Sequence, residues 1–227
     1  MNLPRIAGAA LSALLLALSL SAPRGATPVG AQSPSGSSGA ALASDNFSDP
    51  NSGLFPGSSP APEKWQIGYV NSEYQFAGVD PSDGDAAAIT TDATYTDVTV
   101  SVNARVDGDT HETVLGIVCR WNAGSSPNGY ELSVYPGGSA VTLSKLRFGQ
   151  RTTLKLLAPD DDLLPGGQLN HLELTCSGRT ISARVNGATI GSVQDTTFTR
   201  GMSGVSIGRF DFGTVSARFS NFTLTQP

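Results

Sequence analysis

Tyr95 to Val106 reads YTDVTVSVNARV, and its alternation decides the fold class. Val98, Val100, Val102, Ala104 and Val106 share one face, while Thr99, Ser101, Asn103 and Arg105 share the other. That is the period of a strand with one buried and one wet side. Leu172, Leu174 and Cys176 alternate with His171, Glu173 and Thr175 in the same way, and Ile181, Ala183 and Val185 alternate with Ser182, Arg184 and Asn186. Ser177-Gly178 between these two runs reads as a tight hairpin, and Asn186-Gly187 as a second one leading into Thr189 to Val193. Val114 to Trp121, VLGIVCRW, is apolar on both faces until Arg120, which suits a central strand covered on both sides.

Further short runs rich in β-branched and aromatic residues recur between Gly, Pro, Asn and Asp clusters. They place strands near Glu63 to Tyr69, Glu73 to Ala77, Ala86 to Thr90, Tyr130 to Tyr135, Ala140 to Leu146, Thr152 to Leu157, Ser203 to Arg209 and Thr214 to Leu224. No segment carries a helical period. The expectation is an all-β, two-sheet antiparallel β-sandwich beginning near Ser44 and running to residue 227.

Ahead of it stands a different composition. Met1 to Arg5 carries one positive side chain, and Ile6 to Ala22 is an uncharged apolar and small-residue stretch, the n- and h-regions of a secretory leader. Val29 and Ala31 supply the small residues before a cut at Gln32, so residues 1–31 are expected to be a signal peptide. An uncleaved membrane anchor is the competing reading, but the run falls short of the roughly 20 residues a bilayer needs. Residues 32–43, QSPSGSSGAALA, read as a flexible linker. The expected product is secreted, extracellular or at the cell surface, with no membrane insertion once the leader is removed.

The chain has a net charge of −5, and losing Arg5 and Arg24 with the leader leaves about −7. Such a surface repels phosphate backbones, and no run of Lys and Arg interleaved with aromatics counters it, so nucleic acid is set aside as a partner. Cys119 and Cys176, an even pair inside expected strands, read as one disulfide in an oxidising compartment, with two buried thiols as the alternative. His111 and His171 are not spaced with them as zinc ligands are.

Read in order, GIVCRW at Gly116 to Trp121, NGYELSV at Asn128 to Val134, NHLELTCSGRTISARVNGATI at Asn170 to Ile190, FTRGMSGVSIG at Phe198 to Gly208 and FSNFTL at Phe219 to Leu224 are distinctive together. With DNFSDPNSG at Asp45 to Gly53, they resemble the LamG-like modules of the concanavalin A-like lectin and glucanase superfamily, over the stretch from about Ser44 to Leu224. The resemblance implies a jelly roll with a concave and a convex sheet and neighbouring terminal strands. Asn46-Phe47-Ser48 and Asn221-Phe222-Thr223 agree, each placing an aromatic into the core from paired ends. Both are also formal glycosylation sequons, for which the structural reading is preferred.

Glucanases need two carboxylates about 5 to 5.5 Å apart for retaining chemistry. The motif of the related glucanases, Glu, Asp and Glu at alternate positions of one strand, is missing here. Glu131 beside Leu132, and Glu173 between Leu172 and Leu174, read as solvated strand residues, and Asp160 to Asp162 as a charged turn. Calcium is the one cofactor for which oxygens are offered, by Asp80, Asp83 and Asp85 in DPSDGDA, with a solvated turn as the preferred reading. In related jelly rolls an ion sits where the terminal strands meet; Ser220 stands in place of its acidic ligand, leaving Asp45 without a companion.

Sugar binding needs an aromatic platform and planar polar groups. Trp121 and Tyr135, with Arg120 and Asn128, are the expected ligand-binding set, while Tyr130 shares a face with Leu132 and Val134 and reads as core. Trp65 and Tyr69 form a second pair. The expected activity is non-catalytic binding of a glycan or surface polymer; a structural or adhesive protein module, and then a glycan hydrolase, are the alternatives.

Overall fold

The computed structural model describes residues 39–58, 65–78, 86–90, 93–108, 113–124, 126–137, 140–157, 163–165, 167–209 and 215–227. They form two antiparallel sheets, with no helix among them. The eight-stranded sheet runs β12 (Ala188–Gln194), β11 (Thr180–Val185), β10 (Asn170–Ser177), β5 (Val98–Gly108), β14 (Val215–Thr225), β3 (Glu73–Gly78), β2 (Trp65–Val70), with β1 (Ala41–Asp45) also on β14. The six-stranded sheet runs β4 (Ala86–Ile89), β13 (Met202–Arg209), β6 (Thr113–Asn122), β7 (Asn128–Tyr135), β8 (Ala140–Arg147), β9 (Gln150–Leu157).

The alternation of β5 does what its sequence dictates. Val98, Val100, Val102, Ala104 and Val106 are fully buried between the sheets, and β5 sits mid-sheet with Val100 opposite Leu174 of β10 and Leu224 of β14. The expected meander of β10, β11 and β12 is present. Its second turn holds Asn186 at φ 50° and Gly187 at φ 87°, the positive angles that Asn-Gly tolerates. Its first turn lies one residue later than expected, on Gly178-Arg179, because Ser177 still pairs with Thr180.

β1 begins at Ala41, three residues ahead of the expected Ser44, and pairs Asp45 with Phe222 of β14. Phe47 and Phe222 both enter the core, though Phe47 does so from just past the end of β1, at φ 60°. There Phe47, Phe55, Tyr74 and Phe222 pack with ring centroids 4.8 to 5.4 Å apart, a closure of the terminal strands made of aromatic edges and faces.

β6 is buried on both faces up to Trp121, as its composition requires. Its register slips against β7 between Cys119 and Asn122, and against β13 between Met202 and Gly204, around Arg120 at φ 51°. The extra residue re-aims the strand end. Cys119 stays in the core and is bonded to Cys176 of β10 with a Cα separation of 6.5 Å, so the bridge joins the two sheets.

Candidate functional site

The site is built on the face of the six-stranded sheet turned away from the core. On β7, Tyr130, Leu132 and Val134 point into the sandwich, so Glu131, Ser133 and Tyr135 take the opposite face. On β8 the same logic turns Val141 and Leu143 inward and Thr142, Ser144 and Leu146 outward. Pairing then aligns Gly204, Val118, Glu131, Ser144 and Thr153 in one row across the sheet, and Ser206, Gly116, Ser133 and Thr142 in the next.

Glu131 is the centre of this face and is only 4% exposed. Ser206 Oγ donates to its Oε1 at 2.6 Å, and Arg151 pairs with its other oxygen while also donating to Ser133 Oγ at 3.3 Å. The bond to Ser206 spans β6 at Gly116, where a Cβ would stand 2.1 Å from Ser206 Oγ and 2.8 Å from Glu131 Oε1. Glycine is therefore needed here for space. The expectation of a solvated Glu131 is corrected: a lone acid beside a leucine reads the same in sequence whether its face is wet or built.

Around that centre the expected binding residues separate. Trp121 lies on the same face, its ring against Gly129 and clustered with Val118 and Leu146, but at 5% exposure it presents no open face for stacking. Tyr135 is half-buried on the same face, six residues from Gly129 along β7, or about 20 Å. The two rings bracket Glu131 and do not form one platform. Arg120 is 1% exposed, and its guanidinium is taken up by Thr96 O at 2.8 Å, Phe198 O at 3.1 Å and Asp97 Oδ1 at 3.2 Å. Asn128 is occupied too, its Oδ1 accepting from Phe148 N at 2.8 Å and its Nδ2 donating to Ser126 O at 3.0 Å. Trp65 is core, and Tyr69 donates its hydroxyl to Asp45 Oδ2 at 2.9 Å.

Asp80, Asp83, Asp85 and Asp160 to Asp162 lie outside the described residues. Asp45 accepts from Phe47 N at 2.7 Å, Ser52 Oγ at 2.7 Å and Tyr69, so its oxygens organise the terminal turn. Among the described residues no three His, Cys, Asp or Glu side chains are grouped to hold a metal ion, and no helix is long and apolar enough to cross a membrane.

A second polar cluster braces the inner side of the same strands. Asp195 accepts from Tyr130 Oη at 2.6 Å, Lys145 Nζ at 2.7 Å and Thr197 N at 2.7 Å. Burial alone would raise its carboxyl pKa, but the bonds from Lys145, Tyr130 and Thr197 hold it well below the usual range. Burial, and then the bond to Asp195, pushes Tyr130 up to about 12.

Glu131 is the only Asp or Glu in the six strands of this sheet. Its neighbours on the same face of β7 are Ser133 and Tyr135.

No protein-family model and no curated protein matches the chain. Solved structures do. A carbohydrate binding module, CBM66 from Bacillus subtilis, is similar at TM-score 0.60 and 19% identity, covering 76% of this chain and 97% of that one. A β-glucanase of Bacillus licheniformis is similar at TM-score 0.60 and 13% identity, covering 83% and 99%. A Bacillus subtilis protein of unknown function with a galectin-like fold is similar at 0.57 and 15%, covering 83% and 97%. The fold is thus a concanavalin A-like jelly roll, one that serves both binding modules and glycosidases.

Proposed function

We propose that this chain is an exported, non-catalytic glycan-binding module whose ligand lies on the outward face of the six-stranded sheet around Glu131. The observation that carries the reading is a buried carboxylate, paired with a half-buried arginine and a buried serine, on the face opposite the core. Burying such groups costs free energy unless they are paired, and a binding site is where that cost has a return. The similarity to a carbohydrate binding module supports the ligand class, and a single carboxylate among the described strands of the six-stranded sheet is in keeping with binding without hydrolysis. A disulfide between the sheets supports an oxidising, extracellular setting.

The purified protein should be retained on at least one polysaccharide in affinity electrophoresis or pull-down, without releasing reducing sugar. Glu131→Gln should weaken that retention roughly 10-fold or more, since hydrogen bonds to a charged group are each worth about 1.5 to 3 kcal/mol. Wild-type protein that passes unretarded through every polymer tested overturns the proposal.

A further inference from the structure

A sugar stacks only on a ring with an open face, and the described residues hold one exposed aromatic, Phe148. It is 69% exposed at the tip of the β8–β9 hairpin. Every other described Phe, Tyr or Trp is buried or half-buried, Trp121 and Tyr135 included. The backbone of Phe148 takes φ 51°, an angle that Asn or Gly adopts at little cost and a bulky side chain does not. The bond that holds it there, from Phe148 N to Asn128 Oδ1 at 2.8 Å, makes no use of the ring. A ring strained into place and left in solvent adds little to stability, and such outliers concentrate where ligands are held.

We infer that Phe148 and Arg147 form a subsite for one pyranose unit of a glycan; this rests on the glycan-binding reading above and needs no access to Glu131 itself. The Arg147 guanidinium lies over the Phe148 ring, 5.5 Å from its centroid, so it flanks one face and leaves the other to the C–H face of the sugar. A guanidinium only donates and sugar oxygens accept, so Arg147 supplies the polar half of the contact. The tip stands at the Trp121 end of the outward face. Leu146, two residues before Phe148, clusters with Trp121, and Arg151, three residues after it, pairs with Glu131. One ring is the footprint of one sugar. A stable protein interface buries about 800 Å² on each partner, of which a single ring supplies a small part. The net charge of −5 repels anionic lipid.

Native gels cast with soluble β-glucan, xylan or galactomannan provide the test. Wild type should be retarded by at least one of them. In that polymer Phe148→Gly should lose affinity roughly 10-fold while melting no lower than wild type, because the turn gains a residue suited to its angles. Phe148→Trp keeps an aromatic face and should bind at least as tightly as wild type. Arg147→Ala should weaken binding by roughly 3-fold. Equal retardation of Phe148→Gly and wild type, or a loss that comes with a lower melting temperature, overturns the subsite and leaves the glycan-binding reading standing. Phe148→Trp binding as weakly as Phe148→Gly does the same. Sedimentation with phosphatidylcholine vesicles that depends on Phe148, with polysaccharide retention unchanged, overturns the subsite by assigning the ring to a lipid surface. Wild type retarded by none of the polymers overturns the glycan-binding reading, and the subsite with it.

Discussion

Phe148 and Gly149 form the tip of the β8–β9 hairpin at φ 51° and 77°. Two positive angles in a two-residue loop are the geometry that Asn-Gly adopts cheaply, whereas a bulky L-residue in the left-handed region costs about 1 to 2 kcal/mol. Phe148 recovers little of this by burial, being 69% exposed, with the Arg147 guanidinium 5.5 Å from its ring centroid in a cation–π contact. What holds the turn is backbone bonding, from Phe148 N to Asn128 Oδ1 at 2.8 Å and from Gly149 N to Pro127 O at 2.9 Å. Phe148→Gly keeps both bonds, so it should stabilise the protein by about 1 kcal/mol and raise the melting temperature by roughly 2 to 4 °C. A lower melting temperature in a thermal scan would show that the ring carries packing energy. The Asn186-Gly187 turn was legible in the sequence because its residues suit its angles; the Phe148 turn was not, because its angles are imposed by Asn128 and Pro127 from another hairpin.

Among the elements, strands whose two faces differ were readable and sites made across strands were not. The alternation of β5 and β10 places every valine and leucine correctly, and the two-sided apolar run of β6 marks a central strand. The bulge at Arg120 left no local signal, since the same CRW string fits a regular strand; the guanidinium's partners, Thr96, Asp97 and Phe198, are contributed by distant loops. Asp195 is of the same kind, a loop residue just after β12 that ties β7 to β8 through Tyr130 and Lys145. Its carboxyl sits below its usual 3.8 in the folded chain, so its stabilisation is present above that value and is lost as pH falls through and beneath it. Asp195→Asn should therefore cost about 2 kcal/mol at pH 7, where Lys145 is left facing an amide. Urea unfolding of both proteins across pH should show the wild-type advantage shrinking below about pH 4. An advantage that persists unchanged into acid would mean that packing, not charge, holds this corner.

At the scale of the whole molecule, the chain crosses between sheets repeatedly, with β5 and β10 in one sheet separated in sequence by β6 to β9 in the other. Such non-local pairing leaves much of the loop-closure cost to be met before the contacts form. The Cys119–Cys176 bridge acts on that cost, linking β6 in one sheet to β10 in the other across 57 residues. In the chain-entropy treatment, closing a loop of roughly 58 residues restricts the unfolded ensemble by about 4 kcal/mol. Both cysteines are fully buried in the core, so alanine is the clean replacement, adding no polar atom. The Cys119→Ala, Cys176→Ala double variant should therefore fold to the same sandwich but melt roughly 10 °C lower, at 2 to 4 °C per kcal/mol for a domain of this size. Either single variant should be worse than the pair in one respect: it leaves a reactive thiol that is exposed on unfolding and free to form intermolecular bonds. Equal melting temperatures for oxidised wild type and the double variant would show that the sheets are held by packing alone; equal thiol titres of the denatured protein before and after reduction would show that the bridge does not form.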